Sequence, residues 1–428
     1  MTAAAAGVNG HPAFGPLLAG IAILVVAAKA GGLLAERMRQ PAVLGELVVG
    51  IGLGNLFFPV LGAARLEFIR SDPTLLFLAE LGVLILLFGV GLEADLRALA
   101  RVGPSSLLVA VIGVAAPIVV GWGVAAWWLP ELPRLVHVFI AATLSATSIG
   151  ITARVLKDLG ATRSREGQII LGAAILDDVL GLIVLAIVAG LVTATAAGAA
   201  VSAAAIVSIL VRAALFLAAT IAIGHFFSGR IVRLAARPGH PETMLVVGLA
   251  ICFACAYVAE LVGLADIVGA FAAGLMLDPY GEGIRTREHD ATLEELLHPL
   301  SSLFVPLFFV LMGVQVEVRS LLDPTIFAFA MLLTGVALVG KLACALGVVA
   351  RGVDRLVVGI GMIPRGEVGL IFAGIGSTLT LQGRPILTES LFSSVVVMVL
   401  VTTLVTPVAL RWAFGRHERR AGATFGSD

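Results

Sequence analysis

Charge is the scarcest ingredient of this chain. Of its 428 residues, 13% are Asp, Glu, Lys or Arg, against roughly 25% in a soluble domain. Tyrosine occurs twice, cysteine three times, and the formal net charge is zero. The balance of charge argues against a nucleic-acid partner, which would call for a basic excess. Cys252, Cys255 and Cys344 all lie inside apolar runs and read as small packing residues; two thiols without a nearby His make a poor metal site. Long polar stretches are missing too. The longest polar connection, Asp278 to Pro299, has room for one short surface helix and no soluble domain. The first 13 residues contain no Lys or Arg, so the basic start of a signal peptide is absent and the first apolar span is expected to be retained.

What fills the space is apolar: 59% of residues are hydrophobic and the mean hydropathy is +1.08. The expected fold class is an all-α polytopic membrane protein. Windows bounded by Pro, Gly or charge give about thirteen candidate transmembrane helices. They include span five at Val136 to Val155, span six at Gln168 to Leu191, span ten at Leu300 to Val314, span eleven at Thr325 to Val349 and span twelve at Leu356 to Leu379. Basic residues such as Arg37, Arg39, Arg154, Lys157, Arg230, Arg233, Arg351 and Arg355 fall on one set of alternate connections. The other set holds only Arg65, Arg70, Arg134, Arg319 and Arg384. The positive-inside rule then puts the N-terminus outside and the C-terminus in the cytoplasm.

Against this background the run from Arg165 to Leu191 stands out, because Asp177 and Asp178 sit side by side near its middle. A carboxylate at the centre of a membrane helix costs on the order of 2.5 to 3.5 kcal/mol on insertion scales. Two in succession call for water, a cation or a basic partner, and the default reading is an ion or proton site. Neighbours on a helix point about 100° apart. If Asp178 faces a cavity, Asp177 therefore looks sideways at another helix. Lys341, deep in span eleven, needs a buried acid, and Asp177 is the one left over in that case.

Two further spans are poor helices. Span five crowds Ser145, Thr147, Ser148, Gly150 and Thr152 together, and span twelve puts Pro364 and Gly366 around Arg365 and Glu367. Proline removes a backbone hydrogen bond and clashes with the preceding turn, so a break near Pro364 is expected. Broken membrane helices expose backbone groups that must be satisfied inside protein or beside water, and such ends coordinate ions in transporters. Candidate partners for Arg365 and Glu367 include Glu80 and Glu260. A weak internal repeat links Phe88 to Leu99 with Val310 to Leu321, and Ser148 to Ile151 with Glu367 to Leu370. The two matches keep one odd offset in span number, which inverts topology and predicts inverted repeats.

The segments LSATSIGITARVLKDL, EGQIILGAAILDD and IPRGEVGLI, the intramembrane Lys341 and QPAVLGELVVGIGLG together resemble the cation:proton antiporter-2 family of bacterial sodium/proton antiporters. The resemblance covers essentially the whole membrane chain. It implies a homodimer in the bacterial inner membrane, with a dimerisation domain built from 1–99 and 243–321. It further implies a mobile core domain from 103–191 and 325–414, a linker helix at 200–226 and a short cytoplasmic tail at 415–428. Carried over, Asp178 binds the cation or proton, Asp177 pairs with Lys341, Thr147 and Ser148 add oxygens for Na⁺, and Arg365 and Glu367 stabilise the crossing of the two broken helices. The glutathione-gated potassium efflux branch has Gln before a single Asp and a nucleotide-binding domain. Asp177 and the short tail depart from both, implying activity without a nucleotide or thiol effector.

The expected activity is thus carriage, not enzyme catalysis: electrogenic exchange of Na⁺ or Li⁺ for H⁺, with no cofactor beyond the transported ions and with the lipid bilayer as surroundings. K⁺/H⁺ exchange at the same residues is the alternative, and a passive cation channel a further one. A rigid pore leaves Lys341 and the broken repeats unexplained. An intramembrane aspartyl protease needs its two acids on opposite sides of a scissile bond, which contiguous Asp177 and Asp178 do not supply.

Overall fold

The computed structural model describes residues 14–38, 40–57, 68–70, 72–93, 103–196, 198, 203–235, 241–277 and 292–424. They are nearly all helical. In order they form α1 (Phe14–Arg37), α2 (Ala42–Gly52), α3 (Pro73–Glu93), α4 (Pro104–Trp128), α5 (Arg134–Thr143), α6 (Ile149–Asp158), α7 (Arg165–Ala196) and α8 (Ala203–Ala235). Then follow α9 (Pro241–Leu261), α10 (Asp266–Leu277), α11 (Leu293–Gln315), α12 (Pro324–Leu342), α13 (Arg355–Gly361), α14 (Glu367–Thr378) and α15 (Glu389–Thr424). Among the described residues, 9 helices are long and apolar enough to cross a membrane, and shorter apolar helices cover Ala42–Leu56, Arg134–Thr143, Asp266–Leu277 and Val368–Thr378. The chain is an all-α, multi-pass membrane protein.

Local chemistry fixes where helices begin. Asp323 caps α12 by accepting from Thr325 N at 2.7 Å, with Pro324 in the first helical position. Asp354 caps α13 by accepting from Leu356 N at 2.9 Å. The capping oxygen answers an amide that no helical carbonyl reaches. Thr292 and Glu295 form a reciprocal box: Glu295 N donates to Thr292 Oγ1 at 3.2 Å and Thr292 N to Glu295 Oε2 at 2.9 Å. That box starts α11 at Leu293, seven residues before the apolar window at Leu300. Leu293 to Pro299, the end of the connection where a short surface helix is expected, are thus part of α11; residues 278–291 lie outside the described set. The eleventh span also differs, because α12 ends at Leu342 and tightens into a 3-10 turn over Ala343–Gly347. At the other end of the chain, α15 runs through the segment expected as a tail as far as Thr424. Of the repeat motif near Phe88, Asp95 and Arg97 lie outside the described residues.

The fold divides into two compact units, Met1–Leu86 with Leu297–Arg319, and Leu87–Leu296 with Ser320–Asp428. In the first, α1 and α2 pack backbone to backbone. A Cβ on Gly45 would lie 2.0 Å from the Gly31 carbonyl oxygen, so only glycine permits this approach. Asn55 locks the end of this pair to the chain after α11: Nδ2 donates to Val316 O at 2.7 Å and Oδ1 accepts from Val318 N at 3.0 Å. In the second unit, α4 packs on α5, α7 and α12, and α15 packs on α12, α13 and α14. These long helices hold the interrupted pairs α5/α6 and α13/α14, whose gaps at 144–148 and 362–366 carry the polar residues.

Candidate functional site

Ser164 starts α7 by accepting from Gly167 N at 3.0 Å, and the helix then runs unbroken past both acids. The angular separation of neighbours appears directly in their burial. Asp177 has no exposed surface, whereas Asp178 is half-buried. One turn beyond Asp177, Gly181 passes the gap between α5 and α6, where a Cβ on it would stand 3.8 Å from Ala146 Cβ. The acids therefore lie within a helical turn of the broken segment.

Lys341 reaches the same place from α12. Its Nζ donates to Asp177 Oδ1 at 2.7 Å and to the Ser145 carbonyl at 2.7 Å, and neither charged side chain is exposed. Two fully buried opposite charges are tolerated because each compensates the other's lost hydration and a second ammonium proton finds a carbonyl. Gly113 brings α4 alongside the lysine, where a Cβ on it would meet Nζ at 3.4 Å, an ordinary contact.

The gap residues satisfy one another across the two interruptions. Ser148 N donates to Pro364 O at 2.8 Å, Thr152 Oγ1 to Gly361 O at 2.7 Å and Thr147 Oγ1 to Met362 O at 3.4 Å. Arg365, fully buried, donates through Nη1 to Ala146 O, and its own carbonyl accepts from Thr403 Oγ1 on α15. Hydroxyls also answer the end of α5: Thr143 Oγ1 donates to Ile140 O at 2.7 Å and Ser145 Oγ to Ala142 O at 2.8 Å. Backbone freed by the breaks is thus paired inside the protein, as an apolar surround demands. Gly366 is required by contact, because a Cβ on it would be 2.6 Å from Ser148 Oγ.

Consecutive carbonyls of one gap, Ser145 O and Ala146 O, therefore hold the two buried cations Lys341 and Arg365. Among the described residues, Asp177 Oδ2 and Arg365 Nε and Nη2 have no hydrogen-bond partner. The partner that Arg365 shows is a backbone carbonyl, Ala146 O. Glu367 opens α14, and its side chain lies outside the described residues. Sequence reading missed Thr403 and the carbonyls of Ser145, Ala146 and Met362. A carbonyl leaves no mark in a sequence, but Thr403 stands among polar Thr402 and Thr406 in an apolar run, a signal that was there to use.

Comparison with known proteins agrees with this architecture. The family model described as sodium/hydrogen exchanger, transmembrane, matches residues 21–415. The chain is 37% identical to the high-affinity Na⁺/H⁺ antiporter NhaS3 of a Synechocystis strain, over 93% of this chain and 90% of that protein. It is 33% identical to the Na⁺/H⁺-K⁺ antiporter GerN of Bacillus cereus, over 94% of this chain and 98% of that one. Its fold is similar to that of the sodium proton antiporter MjNhaP1 from Methanocaldococcus jannaschii, with a TM-score of 0.69 at 16% identity, covering 93% of this chain and 97% of that one. With a family model spanning nearly the whole membrane region, and relatives above 30% identity over nearly their full lengths, the chain belongs to the transmembrane sodium/hydrogen exchanger family.

Proposed function

We propose that the protein exchanges Na⁺ or Li⁺ for H⁺ across a membrane by alternating access, with Asp178 as the shared cation and proton site. The observation that carries this reading is the division of labour between neighbouring acids. Asp177 is consumed by Lys341 in a buried pair, while half-buried Asp178 stands one residue away beside the broken helices. A hard cation takes oxygen ligands, and Asp178 with Thr147 and Ser148 offers carboxylate and hydroxyl oxygens. Either ion neutralises Asp178 and lets it move through an apolar barrier, whereas the bare carboxylate is too costly to move. Competition for one group then gives exchange without a separate coupling device. Lys341 supplies a second proton: cation entry frees it from the ammonium, making the cycle electrogenic. Arg365 and Glu367 brace the crossing.

The same reading takes the chain as a homodimer of thirteen-span protomers with inverted repeats, N-terminus outside. The core 103–191 with 325–414 moves against the dimerisation domain 1–99 with 243–321, joined by the helix at 200–226. K⁺/H⁺ exchange at Asp178 is the second reading, favoured by the K⁺ in the name of the GerN relative.

The deciding experiment is cation-induced dequenching of a pH dye in proteoliposomes, with Na⁺, Li⁺ and K⁺ added in turn. Proton efflux with Na⁺ or Li⁺ supports the first reading, and efflux with K⁺ alone replaces it by the second. Cation flux with no stoichiometric proton countermovement overturns both in favour of a channel.

A further inference from the structure

We propose that Arg365 is a further positioning residue for the exchange: when Lys341 gives up its proton, the free edge of the Arg365 guanidinium takes over the Asp177 carboxylate and keeps it ionised. The inference deepens the antiport reading above and rests on Lys341 as the carrier of the second proton.

Four buried side-chain polar atoms among the described residues have no hydrogen-bond partner. One, Gln40 Oε1, belongs to the first compact unit; the other three are Asp177 Oδ2 and Arg365 Nε and Nη2. Buried polar atoms are rarely left in this state, and these three are complementary, one carboxylate acceptor and two guanidinium donors. Nε and Nη2 form one edge of the planar guanidinium, the fork that matches the two oxygens of a carboxylate. The remaining nitrogen, Nη1, is taken by Ala146 O. Lys341 Nζ holds Asp177 and the Ser145 carbonyl, each at 2.7 Å, while Arg365 holds the next carbonyl along the chain. Successive Cα atoms are about 3.8 Å apart, so the two cations are anchored one peptide unit from each other. Arg365 accordingly lies within electrostatic range of both Asp177 and Lys341.

The proton balance calls for such a partner. When cation entry drives one proton from the ammonium to water, Lys341 is left as a neutral amine beside a carboxylate with no exposed surface. An isolated carboxylate in that surround takes up a proton, and the pair as a whole then releases none. A second cation that stays charged prevents the recapture, and a guanidinium does so. The other titratable groups about Asp177 are the Cys344 thiol, in the turn after α12, and Asp178, the next residue of α7. Neither is a cation, so the role falls to Arg365.

Infrared spectra of the purified protein near neutral pH, with the Asp177 band identified by its loss in Asp177→Asn, read this carboxyl directly. Lys341→Gln mimics the neutral amine, and Asp177 is expected to stay ionised in it. Adding Arg365→Lys keeps a cation for Ala146 O but removes the fork, and the proton affinity of Asp177 is expected to rise at least about tenfold. A protonated Asp177 in Lys341→Gln overturns the proposal, and so does an affinity that the added Arg365→Lys leaves unchanged. If the double variant does not fold, Arg365→Lys alone carries the test in proteoliposomes. Fewer protons moved per Na⁺ are expected, because Asp177 recaptures the one that Lys341 loses. A residue that only braces the crossing lowers stability and rate and leaves that ratio unaltered, which overturns the proposal. The spectra need no transport. Failure of the antiport reading, seen as absent exchange in the unaltered protein or exchange surviving in Asp178→Asn, is therefore distinct from failure of this inference.

Discussion

Lys341 on α12 and Asp177 on α7 meet at 2.7 Å with no exposed surface on either side chain, and the same ammonium donates to Ser145 O in the gap between α5 and α6. One nitrogen therefore ties together three parts of the second unit: an unbroken helix, a helix that ends one residue later, and a broken one. Removing either charge leaves the other unpaired in a low-dielectric interior, at a cost of about 3 to 5 kcal/mol. Asp177→Asn and Lys341→Gln are each expected to lower the melting temperature of the purified protein, and the double variant to lose less than the two losses added. A double-mutant cycle of thermal unfolding checks this, and additive losses would contradict the coupling.

The lysine's part in transport is separable from its part in packing. If Lys341 carries a proton, surviving Lys341→Gln protein moves fewer charges per cation, read with membrane-potential and pH probes in proteoliposomes. If it only holds the core together, stability falls while charge movement per cation stays as in the unaltered protein.

Gly366→Ala tests the crossing itself. The added methyl would lie 2.6 Å from Ser148 Oγ and 2.7 Å from its Cβ, so the 148/364 contact must open. Overpacking of this kind costs about 1 to 3 kcal/mol. Thermal unfolding together with exchange rate is the measurement, and the expected outcome is loss of both. Unaltered stability would mean that the gap at 362–366 adjusts freely.

The box at Thr292 gives a local test away from the charges. Thr292→Ala removes the acceptor for Glu295 N and is expected to cost about 1 kcal/mol, seen as faster amide exchange in the first turn of α11. Protection equal to that of the unaltered chain would show that the turn stands without its cap.

Much of this arrangement was legible in composition alone. Charge is so dilute in the apolar runs that Asp177, Asp178, Lys341 and Arg365 could be singled out without any structure, and Pro364 with Gly366 marked the second break. What was not legible was backbone. Ser145 O and Ala146 O are the anchors of two buried cations, and any residue would present the same carbonyl there. The start of α11 was hidden for another reason: a capping box of four polar-flanked residues outweighs the apolar window that sets span length, drawing Pro299 into the helix. The 3-10 turn after Lys341 left no proline or charge to announce it; Gly347 reaches α4, where a Cβ would be 2.6 Å from Leu108 C.

The central claim is that Asp178 carries the exchanged ion while Asp177 holds structure. Its most direct test is Na⁺-induced dequenching in proteoliposomes of purified, monodisperse Asp178→Asn, with melting temperature measured on the same preparation. The amide keeps the shape of the side chain but cannot alternate between cation and proton. The account predicts no cation-dependent proton movement from a protein that melts close to the unaltered one. Exchange at the unaltered rate in that variant would contradict it.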